Sequence, residues 1–212
     1  MTSIEIDGLL QARSFGDGAV WLVGSGALHD LTIAGLDRLA GLGVTLVLDL
    51  GEPTPTGIPA ELHAVARVLH LPLHPTASDR PVPGAGEHHY AALVRDGGAA
   101  IATAVAAVAD ADGSVLLHCA AGEHPAELVL ALALLLAGTP REEILTDMAV
   151  PTALVDPARG AIEALRQALE LVDEFGGPHA YLLRHGMTPQ QLTRIRDRGA
   201  AARDLDLVDY TS

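Results

Sequence analysis

The stretch Ser114-Val-Leu-Leu-His-Cys-Ala-Ala-Gly-Glu-His-Pro-Ala-Glu-Leu-Val129 decides which fold the sequence predicts. Its first residues, Val115 to His118, predict a short buried strand, and the apolar run that begins near Pro125 predicts a helix. Cys119 is the single cysteine of the chain and lies where the strand gives way to a tight loop. Loop N–H groups and the positive end of a helix favour an ionised thiol, so the stretch predicts a nucleophile or an anion-binding site.

The composition predicts one acidic domain whose core is built from small aliphatic residues. Of the 212 residues 49% are apolar but only 3% are aromatic, so Ala, Leu and Val must fill the core. A chain of this length is one ordinary domain, and we predict a single domain over residues 1–212. The net charge of −14 argues against nucleic acid and against an anionic membrane surface as partners, because both attract basic proteins.

Other features of the whole chain favour a cytoplasmic protein. One cysteine excludes an internal disulfide, which is typical of a reducing compartment. The first residues, Met1 to Asp7, contain neither the basic nor the apolar segment of a secretory signal. The longest apolar run, Leu128 to Ala137, is too short to cross a bilayer. We therefore expect a cytoplasmic location.

Predicted strands alternate with predicted helices along the first two thirds of the chain, and only helices follow. Strands are predicted over 19–23, 44–50, 66–71 and 115–118, after a turn-rich segment over 1–18. Helices are predicted over 31–42, 87–95, 99–109, 125–138, from 140 onwards, and over 161–175, 178–185 and 189–199. The pattern Thr188-Pro-Gln-Gln191 is typical of a helix start. This order predicts an α/β fold with helices packed on a short, mostly parallel sheet, and a ligand site at the carboxyl end of a central strand.

Six segments along most of the chain carry a resemblance to a known family. They are Gly24–Leu28, Gly43–Leu50, Leu71–Leu73, His118–Gly122, Gly138–Asp147 and Tyr181–Leu192. Together they resemble the cysteine-based protein tyrosine phosphatases, specifically the bacterial atypical, dual-specificity-like group. The resemblance implies a tyrosine-phosphatase-like fold with a helical C-terminal third. It also implies that Cys119 is the nucleophile and that Ala120, Ala121 and Gly122 begin the loop that binds phosphate.

The rest of that loop departs from the family's pattern, which reads His-Cys, five residues, then Arg. Pro125 stands at the arginine position, so the two-pronged guanidinium contact with phosphate and one backbone N–H are both lost. Glu123 stands where the family often has lysine, and His124 where it often has aspartate. Ala126 replaces the hydroxyl that helps the departing thiolate.

Two further departures lie outside the loop. Gly24 replaces the arginine of the family's Arg-Ser-Gly-Ala-Leu segment, and Gly51 replaces the arginine of its Asp-Leu-Arg segment. With Pro125, three anion-binding positions are therefore uncharged. Because removing one preorganised charge stabiliser costs ~3–4 kcal/mol of barrier, we do not expect efficient phosphomonoester hydrolysis.

Each residue of the loop has a functional and a purely structural interpretation. Cys119 is a nucleophile or an inert buried residue at a strand end. His124 is a general acid or base beside the thiol, or a solvated loop histidine. For His118 the resemblance implies that its ring orients the loop. Glu123 and Glu127 disfavour a thiolate, or are ordinary acids in the first turn of a helix.

Residues outside the loop offer weaker candidates for binding substrate. Asp79 lies on the long loop after the third predicted strand, where larger relatives carry a mobile acid, and Arg80 follows it. Gly24, Gly51 and Pro125 line the predicted site. Five histidines, His63, His70, His74, His88 and His89, match no metal-ligand spacing. We predict no metal site and no cofactor.

Three functions stay open. The first is an enzyme that uses Cys119, with His124, Glu123 and His118, on a neutral or cationic small molecule that carries no phosphate. The second is a pseudophosphatase that binds a ligand without catalysis. The third is a weak phosphatase in which Arg80 holds the phosphate. In each case we expect a small molecule rather than a phosphoprotein, and the sequence leaves the oligomeric state open.

Overall fold

The structure is a computed structural model that describes residues 2–9, 12–15, 20–51, 57–73, 86–119, 125–149 and 159–204. Within these ranges the side chains of residues 86–89, 125, 159–160 and 204 are not described. A six-stranded sheet with the order β1-β2-β3-β6-β4-β5 forms the centre. Its strands are β1 (Thr2–Ser3), β2 (Arg13–Phe15), β3 (Leu22–Ser25), β4 (Val44–Asp49), β5 (Arg67–His70) and β6 (Ser114–His118).

The sheet is mixed, with a parallel half that carries the predicted site. β3, β6, β4 and β5 pair in parallel, whereas β1 and β2 are antiparallel additions to the β3 edge. The predicted α/β class and the four predicted strands are confirmed. β1 and β2 were missed, because strands of two and three residues in a turn-rich segment are too short to show an alternating pattern.

Helices cover both faces of the sheet. In the described part of the chain they are α1 (Ile33–Gly41), α2 (Leu62–Val65), α3 (Gly86–Asp96), α4 (Gly98–Asp110), α5 (Pro125–Leu136), α6 (Arg141–Met148), α7 (Arg159–Glu174), α8 (Gly177–Arg184) and α9 (Pro189–Asp204). The predicted helices are confirmed within a few residues at most of their ends, and the predicted capping at Thr188 is present, since its Oγ1 accepts from the Gln191 N–H at 3.2 Å. The short α2 was missed.

The predicted end of the last helix at Gly199 is wrong, because α9 continues to Asp204. A Cβ atom at position 199 would lie 2.4 Å from the Cβ of Ala137. Glycine is therefore needed here for close packing of α9 against the chain that follows α5, rather than to stop the helix. The sequence alone does not distinguish these two uses of glycine.

Alternate residues of the parallel strands point into two separate cores. Leu48 and Leu117 pack with α3 to α9, whereas Val47 and Leu116 pack with α1 and α2. β6 is buried along its whole length. It therefore carries apolar residues on both faces, as a central parallel strand does.

No single helix in the described ranges is long and apolar enough to cross a membrane. Tyr90–Asp96 and Gly98–Asp110 pass that test only as a pair, and the chain bends by 90° between them.

Candidate functional site

Three strands bring a carboxylate and two imidazoles together at the carboxyl edge of the sheet. Asp49, the last residue of β4, pairs in register with His70 on β5 and with His118 on β6. The Nδ1–H of His70 donates to Asp49 Oδ2 at 2.8 Å, and His118 Nε2 lies 3.3 Å from Asp49 Oδ1. Because all three occupy the same register position, their side chains share one face of the sheet, the face covered by α1 and α2. We call these three residues the histidine row.

The carboxylate of Asp49 is held from a third side. The backbone N–H of Gly51 donates to Asp49 Oδ1 at 3.1 Å. The chain beyond β4 thus turns back onto the same carboxylate that contacts the two histidines. Gly51 stands at the family's arginine position and was predicted to line the site. Here its backbone N–H contacts Asp49.

His118 is the most buried member of the histidine row. Its side chain is 5% exposed, against 13% for Asp49 and 36% for His70. The contact with Asp49 does not meet hydrogen-bond geometry, and neither ring nitrogen of His118 has a hydrogen-bond partner among the described residues. Burial lowers the pKa of His118, the charge of Asp49 opposes that change, and the charge of His70 adds to it. His118 is therefore held as a neutral imidazole.

Cys119 lies one residue further along and belongs to the opposite face of the sheet. Its side chain is 8% exposed and packs with the larger core, under α3 to α9. The hydroxyl of Tyr90, on α3, donates to Glu127 Oε2 in the first turn of α5 at 3.0 Å. Burial raises the pKa of Tyr90 well above its ordinary value, and the charges of Glu127 and Cys119 raise it further. The phenol, the carboxylate and the thiol are thus close neighbours.

A cation that sequence reasoning missed lies on the same face. Arg13, on β2, donates from Nη1 to the carbonyl oxygen of Met148 at 3.0 Å. Burial lowers the pKa of Arg13, while the charges of Glu127 and Asp147 raise it. The guanidinium of Arg13 therefore feels the negative charges of both Glu127 and Asp147.

Of the predicted site residues, the structure describes Cys119, His118, Gly24 and Gly51. A Cβ atom at Gly24 would lie 2.9 Å from Leu130 Cδ1 and 3.5 Å from the Phe15 ring. An arginine at this position would have to displace the end of a core leucine of α5. The predicted residues outside the described ranges are Asp79, Arg80, Ala120, Ala121, Gly122, Glu123 and His124, and for Pro125 only the backbone is described, as the first residue of α5.

Among the described side chains, no group of three or more His, Cys, Asp or Glu is arranged to hold a metal ion. Of the histidines considered above, His70 contacts Asp49, while His74 and the side chains of His88 and His89 lie outside the described set.

A cleft lies elsewhere, lined by residues of β2, α5, α6 and α9 and by Trp21, which precedes β3. Its lining includes Phe15, Trp21, Glu143, Asp147 and Arg203, but not Cys119 or His118. Trp21, predicted to be a core residue, is 6% exposed.

A family model named for the tyrosine phosphatase family matches residues 20–200. The chain belongs to the tyrosine phosphatase family. A similar solved structure is the Yvh1 phosphatase domain from Chaetomium thermophilum, at 20% sequence identity and a TM-score of 0.35. That match covers 92% of this chain and 98% of the other. The TM-score is too low to carry any geometric comparison, and no curated protein sequence matches this chain significantly.

Sequence reasoning missed four residues of this edge: Asp49, His70, Tyr90 and Arg13. Two of them could have been found, because Asp49 and His70 end predicted parallel strands and such ends meet at one edge of a sheet. Arg13 and Tyr90 gave no such signal. Arg13 lies on β2, which was not predicted, and Tyr90 reaches Glu127 from α3, a helix that packs mainly against α7.

Proposed function

We propose that this member of the tyrosine phosphatase family is a Cys119-dependent enzyme whose substrate is a neutral or cationic small molecule without a phosphate group. The observation that carries the proposal is the histidine row behind Cys119. His118, next to the thiol in sequence, is buried and held against Asp49, which in turn binds His70. A cysteine with no chemical task does not need a buried ionisable pair at the preceding residue, since such pairs add little to stability.

The charges around the thiol favour the proposed substrate class. Glu127 and Asp147 contribute two negative charges to the same side of the sheet, and Arg13 contributes one positive charge that these carboxylates already share. In the sequence, Glu123 and Pro125 stand where the family pattern has lysine and arginine. A phosphate dianion would meet repulsion there, whereas a neutral or cationic molecule would not.

The proposed mechanism uses the thiol as nucleophile. The thiolate Sγ of Cys119, stabilised by the loop amides and the start of α5, attacks an electrophilic centre of the substrate. The bond from that centre to its leaving group breaks, and the leaving group takes a proton; water then displaces the thiolate and so regenerates Cys119. His124 is the proposed acid or base for the second half of the reaction, and His118 supports the loop. Each of these roles is assigned by the family pattern and by position, and the first to be tested is that of the thiol.

Two alkylating reagents of opposite character test the proposal. Iodoacetamide is neutral and iodoacetate is anionic, and both react with thiolates. We expect Cys119 in the folded protein to react faster than in the urea-unfolded chain with iodoacetamide. We also expect the ratio of the iodoacetamide rate to the iodoacetate rate to be at least about tenfold higher than in the unfolded chain, because the acidic surroundings repel the anion.

The same experiment separates the alternatives. Preferential reaction with iodoacetate would show an anion-binding site and favour the weak phosphatase. A folded thiol that reacts with both reagents no faster than the unfolded chain would favour the pseudophosphatase. A Cys119→Ser variant, analysed by mass spectrometry, is the control that assigns the label to this residue.

A further inference from the structure

The structure assigns to Asp49 and His70 a role that neither the family match nor the loop sequence provides. We propose that Asp49 is a positioning residue for His118, and that His70 is the exposed group through which protons of the solvent control His118 and hence the reactivity of Cys119. The inference rests on the proposed function, because it concerns the regulation of the same thiol.

The first step is the geometry of the shared carboxylate. Asp49 presents its two oxygens to two different imidazoles, Oδ2 to His70 at 2.8 Å and Oδ1 to His118 at 3.3 Å. The pairing of β4 with β5 and β6 fixes these positions, since each histidine is the register partner of Asp49. A carboxylate beside Nε2 favours the tautomer that carries its proton on Nε2, which leaves Nδ1 with a lone pair.

The second step is the gradient of exposure along the histidine row. The side chain of His118 is 5% exposed, whereas that of His70 is 36% exposed. When His70 takes up a proton, its positive charge opposes a second positive charge on His118 across the same carboxylate. The proton occupancy of the buried histidine thus depends on that of the exposed one.

The third step connects the histidine row with the thiol. Cys119 directly follows His118 in the chain, and its side chain lies on the opposite face of the sheet. At that separation a positive charge on the His118 ring still favours the thiolate through space, whereas a neutral imidazole gives no such support. Among the described residues, the titratable groups that act on His118 are Asp49 and His70. Those beside Cys119, from the helices on the other face, are Tyr90 and Glu127.

The test uses the whole chain and three single substitutions. His70→Gln removes the exposed charge, Asp49→Asn keeps the shape and the acceptor for the Gly51 N–H, and His63→Gln changes an exposed histidine of α2 outside the histidine row. Proton-detected 15N spectra of the imidazole rings give the pKa of His118 in each protein. In parallel, the alkylation rate of Cys119 by iodoacetamide is measured at pH 6.

We expect opposite shifts from the two substitutions in the row. His70→Gln should raise the pKa of His118, and Asp49→Asn should lower it, each by at least about 0.3 units, which changes proton occupancy about twofold. His63→Gln should change neither quantity. With more imidazolium at position 118, His70→Gln should also alkylate at least about twofold faster than the parent at pH 6.

Three results would overturn the inference. The first is an equal pKa of His118 in the parent and in His70→Gln. The second is a shift of that pKa in the same direction in His70→Gln and Asp49→Asn. The third is a shift of the pKa of His118 without any change in the alkylation rate of Cys119. If Asp49→Asn does not fold, His70→Gln decides alone, because its side chain is at the surface. An unreactive thiol in every protein would refute the proposed function, while the ring spectra would still show whether the two histidines are coupled.

Discussion

At the carboxyl edge of the sheet, the two faces carry different polar groups. On the face covered by α1 and α2, the histidine row is complete, with a carboxylate shared by two imidazoles. On the face covered by α5, Cys119 lies near Tyr90, which donates to Glu127, and the charges of Glu127 and Asp147 act on Arg13.

Under the proposed function, this difference assigns support of the thiol and binding of an anion to separate parts of the fold. Strand register fixes the histidine row, so it persists as long as β4, β5 and β6 pair as they do. Anion binding depends on side chains of one loop and on the first turn of α5, where substitution leaves the sheet intact. Such a division allows a fold to keep a nucleophile and change its substrate.

The largest effect is expected from placing Lys and Arg at the two loop positions where the family pattern has them. In a Glu123→Lys, Pro125→Arg double variant, hydrolysis of para-nitrophenyl phosphate should rise by about 10²-fold or more above the parent, because two preorganised cations would then face the phosphate. The measurement is release of para-nitrophenol between pH 4 and 8.

The matched control adds Cys119→Ser to the double variant and should abolish the gain. Parent activity equal to that of the double variant would mean that phosphate is held by other residues, and would favour the weak phosphatase. If the double variant folds but neither it nor the parent hydrolyses the ester, the face that carries Cys119 lacks more than the two cations.

Much of the fold was predictable because its signals are local. The apolar runs at Val44 and Val115 predicted two central strands, and the Thr188 pattern predicted a helix start. Register is a tertiary property, so the sequence could show that Asp49, His70 and His118 each end a strand without showing that they lie in one row. The position of Arg13 depends on a three-residue strand that has no sequence signature of its own.

Of the candidate site, only the positions of Cys119 and His118 were predictable. Cys119 and His118 follow from the family pattern, and the structure places them at the expected end of β6. Glu127 was interpreted mainly as a first-turn acid of a helix. Glu127 does lie in the first turn of α5, and it also accepts a hydrogen bond from Tyr90. Tyr90 lies on α3, which is distant in sequence. Contacts of this kind depend on how helices pack, and no periodicity in either helix predicts them.

Two tyrosine variants test whether the surroundings of Cys119 depend on the hydrogen bond between Tyr90 and Glu127. Tyr90 donates to Glu127, and Tyr181 donates to the carbonyl oxygen of Val94 at 2.8 Å, in the core of the same layer. Replacing either with Phe should lower the free energy of unfolding by about 1–2 kcal/mol, because a buried acceptor loses its donor. Urea denaturation measures this loss.

Of these two substitutions, only Tyr90→Phe should change the alkylation rate of Cys119. Without the Tyr90 hydroxyl, the negative charge of Glu127 is less compensated and disfavours a thiolate nearby, so Tyr90→Phe should slow alkylation of Cys119 about threefold, equivalent to about half a pKa unit. Tyr181→Phe should leave that rate unchanged. Equal effects of both variants would indicate a general loosening of the layer rather than a local contact.

The smallest expected effect is the pH dependence that His118 gives to stability. Its pKa in the folded protein lies below that of the unfolded chain, so folding favours the neutral ring. This contribution is fully present above about pH 6.5, the ordinary value, and declines as the pH falls towards the folded pKa. The difference in Tm between the parent and His118→Gln should therefore shrink by about 2 °C or more between pH 7.5 and pH 5.

His63→Gln should follow the parent at every pH, since its ring lies outside the histidine row. A constant difference between the parent and His118→Gln would mean that burial does not hold His118 neutral in the folded protein, and the contrast between the two faces would then rest on the loop alone.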